Sequence, residues 1–358
     1  MTTVTSQTSA YRDYTRPLWR RLLFNRDAAV IALLIVITEL AIYTVPYFGS
    51  QLTLTYLLLD MTPILLIALP MCLVILTGEI DLSVASVVGL SSVMVGLLHE
   101  HGASIPVAAL VALVVGVACG ALNGFLVAYV GLPSLAVTIG TLALFRGLAV
   151  GSLGTKAVTH FPERWADLAS ANIGSTGVPV MMIPVALLVA AFAVLLHFSN
   201  FGRGIYDIGL NKEAAHFTGV SVARTKLILF VLTGVISAFA GIFYTLRFGS
   251  ARGDNASGME LQVIAAVLLG GVSIFGGRGR LAGVIGGVLL IGVISSALRL
   301  ESVTVNVISI IIGLLLVASV VAMSVLGWVS DFAARRNRRG SGPADTPAIA
   351  GTRKVDNP

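Results

Sequence analysis

Glu79, Asp81, Asn123, Thr138, Thr141 and Arg146 lie in or beside apolar stretches of this sequence. A polar side chain there is costly unless it is paired or lines a pathway. In Leu76 to Val88, LTGEIDLSVASVV, Gly78 interrupts a hydrophobic run and sets Glu79 and Asp81 beside it. Two roles are open to Asp81: capping the next helix by accepting from the backbone N–H groups near Ser83 and Val84, or facing a path for a polar solute. Thr138 and Thr141 are three apart and share one side of a helix. Such hydroxyls, with the Asn123 amide, can hydrogen-bond a solute's hydroxyls and release them; a threonine can equally back-bond to its own helix. Arg146 has three options, namely a carboxylate partner, with Glu39 and Asp60 the remaining acids of the first two spans, a reach toward the interface, or the pathway itself.

None of this is covalent chemistry. The chain contains no G-x-x-x-x-G-K-[ST] loop and no Gly-Lys pair, so it is not expected to hydrolyse ATP. No catalytic residue, cofactor or metal is expected. Gly277, Gly279 and Ala282 fit G-x-G-x-x-A, but a dinucleotide site needs that pattern between a strand and a helix, and the surroundings are those of a membrane helix. His99-Glu100-His101 reads as a solvated turn, since a metal would need further ligands.

The elements that must position these residues follow from composition. Of 358 residues, 56% are hydrophobic and 11% charged, with a mean hydropathy of +0.95. That balance points to an all-α polytopic membrane protein. Apolar runs of near-spanning length occur at about 28–48, 52–76, 83–98, 104–130, 133–151, 179–198, 227–246, 261–275, 281–298 and 303–325, predicting ten transmembrane helices, the third and eighth short. Residues 1–27 form a basic, aromatic-flanked cytoplasmic segment, 28–325 the membrane domain, and 326–358 a cytoplasmic, largely disordered tail. No cleavable signal peptide is expected. With the amino terminus inside, 17 Lys and Arg fall on the cytoplasmic side and 5 outside, so both ends are expected in the cytoplasm of a plasma membrane protein. The net charge of +6 thereby reads as orientation, not as nucleic-acid binding. Spans 2–5 and 7–10 would run in opposite senses, which allows an inverted repeat. Gly116, Gly120 and Gly124, and then Gly279, Gly283 and Gly287, recur every fourth residue as faces for close helix packing. Cys72 and Cys119 both fall in apolar spans, and no disulfide is expected.

Between two spans, SNFGRGIYDIGLNKEAAHFTGVSVARTK at 199–226 is polar. Asn211 is a plausible N-cap, Lys212, Glu213, Ala214 and Ala215 a short helix with a small face, and Gly219 its close. A short capped helix outside the bilayer suits docking against another protein. The run from Glu213, Ala214 and Ala215 to Gly219 resembles the EAA loop by which permeases of ATP-binding cassette (ABC) importers contact their ATPase, without the isoleucine and Leu-Pro that often follow. GEIDLSV at 78–84 resembles Gly-x-Ile-Asp-Leu-Ser-Val of the monosaccharide branch of those permeases, with Glu79 in place of the usual glycine. Asn123-Gly, Pro133-Ser, Thr138-Ile-Gly-Thr141 and Arg146-Gly, and then Glu260 with the double-glycine turn near 276–277, resemble the same branch. The resemblance covers roughly 50–325 and implies a permease subunit. Its expected partners are a cytoplasmic ABC ATPase, an extracytoplasmic sugar-binding protein, a second permease copy or paralogue, and membrane lipid. A monosaccharide such as rhamnose or ribose is the first expectation for the cargo, with the furanosyl signal autoinducer-2 next. The alternative class is an ion-coupled secondary transporter using Glu39, Asp60, Glu79, Asp81 or Arg146 as a relay.

Overall fold

A computed structural model describes residues 26–319 and 321. The amino-terminal basic segment and the carboxy-terminal tail lie outside the described residues, apart from the first helix's opening turn. Among the described residues there are thirteen α-helices and no strand, only two isolated bridges, Val158 with Ala251 and Asn172 with Pro179. In chain order they are α1 (Arg26–Thr44), α2 (Gln51–Leu76), α3 (Val84–Glu100), α4 (Ile105–Ala128), α5 (Ser134–Leu153), α6 (Glu163–Ser170), α7 (Met182–His197), α8 (Asn200–Leu210), α9 (Lys212–Phe217), α10 (Val222–Phe248), α11 (Met259–Leu269), α12 (Leu281–Leu300) and α13 (Val305–Ser319).

The ten expected spans each correspond to a helix, but fewer have the length to cross. Six helices, α1, α2, α4, α5, α10 and α12, are long and apolar enough, and a seventh span arises if α7 and α8, bent by 66°, count together. The other three, α3, α11 and α13, are shorter. For α3 and α11 the shortness is expected from the sequence, and each follows a non-helical stretch, 77–83 and 249–258, that lies almost wholly between the apolar runs. The order of long helix, non-helical stretch, short helix and long helix starts once at α2 and again at α10.

At the centre stands α2. Ser50 caps it by accepting from Thr53 N at 3.2 Å, and from Leu66 to Leu76 its side chains are wholly or almost wholly buried. Pro63 and Pro70 sit inside it without ending it. α1 and the outer faces of α4 and α5 instead expose leucine, isoleucine and valine. Apolar side chains gain nothing by leaving lipid, so the helices hold together through shape and close backbone approach. Gly116, Gly120 and Gly124 line the crossing of α4 on α10. A Cβ at Gly120 would fall 2.3 Å from Phe230 O, and one at Gly234 2.2 Å from Gly116 O. Gly283 and Gly287 do the same for α12 on α11, where added Cβ atoms would lie 2.1 Å from Gly270 O and 2.2 Å from Ala266 O. Gly279 does not continue that stripe. It precedes α12 in the turn, at φ +148, against Val272.

α2 and α10 run antiparallel, since Asp60 faces Arg247 while Glu79 faces Lys226. Along α10, Lys226 and Arg247 are separated by roughly 30 Å at ~1.5 Å per residue, close to the thickness of the hydrocarbon core. The two charge groups therefore mark the two membrane faces: the α9 face, and the face opposite it.

Candidate functional site: the junction behind α9

After the 66° bend, Ser199 caps α8 by accepting from Gly202 N at 3.0 Å. α8 buries Gly202, Gly204, Ile205 and Ile208 at helical spacing and so lies against the bundle. At Gly209 the approach is closest: a Cβ there would fall 1.9 Å from Leu76 O and 2.3 Å from Gly277 N, while Gly277 N itself donates to Leu76 O at 2.8 Å. Tyr206 Oη donates to Gly279 O at 2.9 Å. The end of α2, α8 and the turn before α12 are thus joined backbone to backbone.

α9 projects from this junction. Asn211 Oδ1 accepts from Glu213 N at 2.9 Å and Ala214 N at 3.0 Å, satisfying donors that a helix start leaves unpaired. Gly219, at φ +89, closes the helix, and its N–H donates to His216 O at 3.0 Å. Ala215 is buried, whereas Glu213, Ala214 and Phe217 are exposed. Lys212, Glu213, His216, Phe217, Tyr129 and Arg224 line a cleft of about 800 Å³.

Two residues tie α9 to the interior. Lys212 Nζ donates to Glu79 Oε1 at 2.9 Å, and Lys226 Nζ donates to the same oxygen at 2.6 Å. Glu79 stands in the 77–83 connector, outside the helices that cross. Burial pushes its carboxyl up, but hydrogen bonds from Lys226, Ser134 and Lys212 outweigh that and hold it below its ordinary value. Neither lysine stands out in the sequence as a partner: both appear as cytoplasmic basic residues flanking a span.

Three of the five pathway candidates, Asp81, Asn123 and Thr138, gather at the same connector, with Thr141 one turn further along α5. Asp81 is buried and accepts from Ser83 N at 2.9 Å and Ser83 Oγ at 2.6 Å. It does not reach Val84, because its carboxylate closes a two-residue turn instead of capping α3. Ser83 Oγ in turn accepts from Asn123 Nδ2 at 2.8 Å. Asn123 Oδ1 is buried with no hydrogen-bond partner among the described residues. Thr138 Oγ1 donates to Ser134 O at 2.8 Å, back along its own helix, and lies 3.3 Å from Ile80 O; Ser134 Oγ accepts from Ile80 N at 3.2 Å. Thr141 Oγ1 is 3.5 Å from Thr138 O. The connector is thus clamped by α5 on one side and α4 on the other.

Arg146 lies elsewhere. It meets neither Glu39 nor Asp60: Nη1 donates to Gly253 O and Asn255 O, both at 2.7 Å, and Nη2 to Ala85 O at 3.1 Å. Carbonyl oxygens satisfy its donors, and so it pins the second non-helical stretch, 249–258, onto α3. That stretch borders a polar cavity of about 360 Å³ lined by Tyr244, Arg252, Asp254, Asn255, Ser257 and Gln262. Asp254 is held below the usual carboxylate range by its hydrogen bond from Arg252.

Asp81, Ser83, Asn123 and Thr138 thus form one polar cluster around the 77–83 connector, and α9 presents an exposed face beside it. Comparisons with known proteins identify the family. The family described as "branched-chain amino acid transport system / permease component" matches residues 53–320. The autoinducer 2 import system permease protein LsrD of Photorhabdus temperata is 36% identical over 289 residues, 76% of this chain and 85% of that protein. Its counterpart in Yersinia enterocolitica is 35% identical over 266 residues, 73% of this chain and 80% of the other, and that of Escherichia coli K12 is 35% identical over the same shares. No solved structure matches. The chain belongs to this permease family and is a membrane-embedded permease subunit of an ABC importer, in the monosaccharide branch.

Proposed function

We propose that this permease carries autoinducer-2, or a monosaccharide of closely similar furanose form, across the cell inner membrane. The observation that supports this cargo is the 36% identity to an autoinducer 2 import permease, sustained over 85% of that protein's length. The shift from rhamnose, the first expectation from motifs, to autoinducer-2 rests on that similarity. The motifs alone are common to the whole branch.

In this reading α9 lies in the cytoplasm, with both chain ends, and its exposed Glu213, Ala214 and Phe217 enter a groove on a separate ABC ATPase. A second permease, identical or paralogous, completes the pathway, and an extracytoplasmic binding protein delivers the solute to the opposite face. When the ATPase moves α9, Lys212 transmits the displacement to Glu79, and the connector carrying Asp81 shifts against Asn123 and Thr138. The solute crosses unmodified.

The test is uptake by cells lacking their own autoinducer-2 permease and supplied with this chain together with an ABC ATPase and an autoinducer-2 binding protein. Labelled autoinducer-2 should accumulate, and a Glu213→Ala, Gly219→Val double variant should abolish uptake while the binding protein still holds its ligand. Accumulation of ribose or rhamnose but not autoinducer-2 would overturn the cargo. Uptake that needs no ATPase and collapses with an ionophore would overturn the mechanism.

A further inference from the structure

At the face opposite α9, one carboxylate confronts two guanidinium groups. Arg299 Nη1 lies 2.6 Å from Asp60 Oδ2, a direct hydrogen bond. Arg247 Nη2 lies 4.0 Å from Asp60 Oδ1, near enough for attraction but too far for a hydrogen bond. Asp60 belongs to α2, Arg247 to the end of α10 and Arg299 to the end of α12, so three helices converge here.

Arg247 is the informative member. Its side chain is only 14% exposed, and its guanidinium carbon lies 5.4 Å from the ring centres of both Tyr56 and Phe248. Its Nε is buried and finds no acceptor among the described residues. A buried N–H of a charged group left without an acceptor is costly. Asp60 is already engaged by Arg299, and one negative charge cannot neutralise two positive ones. The cluster therefore carries a surplus positive charge and an unused, fixed donor.

These residues border a cavity of about 440 Å³, whose walls include Ser296 beside the arginines and the apolar side chains of Leu57 and Leu300. Its depth is that of a headgroup, one hydrocarbon thickness away from Glu79. Planar guanidinium donors suit the oxygens of a phosphate, and an apolar wall next to them suits an acyl chain. We propose that Arg247 and Arg299 bind a phosphate oxyanion here, with Asp60 holding Arg299 in place, and that an anionic phospholipid supplies it. Free inorganic phosphate presents the same oxygens without the chain.

The full-length chain, purified in a neutral detergent, tests this by native mass spectrometry and thermal unfolding, titrated separately with phosphatidylglycerol, phosphatidylcholine and inorganic phosphate. Phosphatidylglycerol should bind and raise the melting temperature, phosphatidylcholine should do neither, and Arg247→Gln should weaken phosphatidylglycerol binding roughly tenfold or more, as expected on losing charge-assisted hydrogen bonds. Protection by inorganic phosphate equal to that by phosphatidylglycerol would support the phosphate site but assign it to a free anion. Asp60→Asn, which keeps shape while removing the competing charge, should bind at least as tightly as the unaltered chain. If Arg247→Gln does not yield folded protein, Arg299→Gln, at a half-exposed position, serves in its place. Equal binding of phosphatidylcholine and phosphatidylglycerol, or phosphatidylglycerol binding unchanged in both arginine variants, overturns the site.

Discussion

Two clusters at opposite ends of one helix pair have the same composition by charge and behave differently. At the α9 face Glu79 meets Lys212 and Lys226, and at the other face Asp60 meets Arg247 and Arg299. An ammonium is a compact point charge, so two of them converge on a single oxygen, Oε1 of Glu79, at 2.9 and 2.6 Å. At the other face the two guanidinium groups divide the carboxylate unequally: Arg299 hydrogen-bonds Oδ2, while Arg247 stands 4.0 Å from Oδ1, beyond hydrogen-bonding distance. The lysine cluster is closed and joins α9 and α10 to the 77–83 connector. The arginine cluster remains open to an added anion.

The comparison is broken most directly by removing each acid. Glu79→Ala leaves Lys226 charged and buried without its partner, and should destabilise the chain by about 3–5 kcal/mol, read as a lowered melting temperature, with loss of uptake. A Glu79→Gln, Lys226→Met double variant should recover most of the stability but not the uptake, because the charge that pairs with Lys212 is gone. Recovery of uptake as well would show that Glu79 serves the fold alone. Asp60→Asn should cost only about 1 kcal/mol, since Arg299 is half exposed and Arg247 stands 4.0 Å away. A loss as large as that of Glu79→Ala would mean the two clusters are alike after all.

Smallest is the effect of Lys212→Ala, about 1 kcal/mol or less in stability because Lys212 is 54% exposed. Uptake per ATP hydrolysed should fall further than stability does, a separation that a merely structural lysine would not produce. Acid offers a second probe of the same link. Glu79 has its carboxyl lowered from 4.5, so its contribution is complete above that pH and is lost as the pH falls through the lower folded value. Lys212→Ala should make this acid sensitivity shallower.

Much of this architecture is legible in the chain, because apolar length and local caps are local signals. The helices fall where the hydrophobic runs lie, and Asn211 caps α9. Partnerships across the fold leave no such trace. Glu79 and Lys226 are 147 residues apart, and Lys226 opens a span like any flanking basic residue. Arg146 defeats a search for carboxylates because its acceptors are backbone carbonyls, which every residue carries. Length misleads at α11, where the apolar run continues past Leu269 while Gly270 and Gly271 turn the chain away. Gly279 has the right spacing for the α12 stripe but lies two residues before the helix begins.

The charges that bracket α2 and α10 also act as a depth gauge. Sinking or rising along the membrane normal would drag one set of ionic groups into oil, so a piston stroke is closed to this pair. In the coupling proposed at α9, any imposed stroke must be spent as tilt or as rotation about the long axes, and the glycine seam between α4 and α10 is where two backbones lie close enough to pivot on each other.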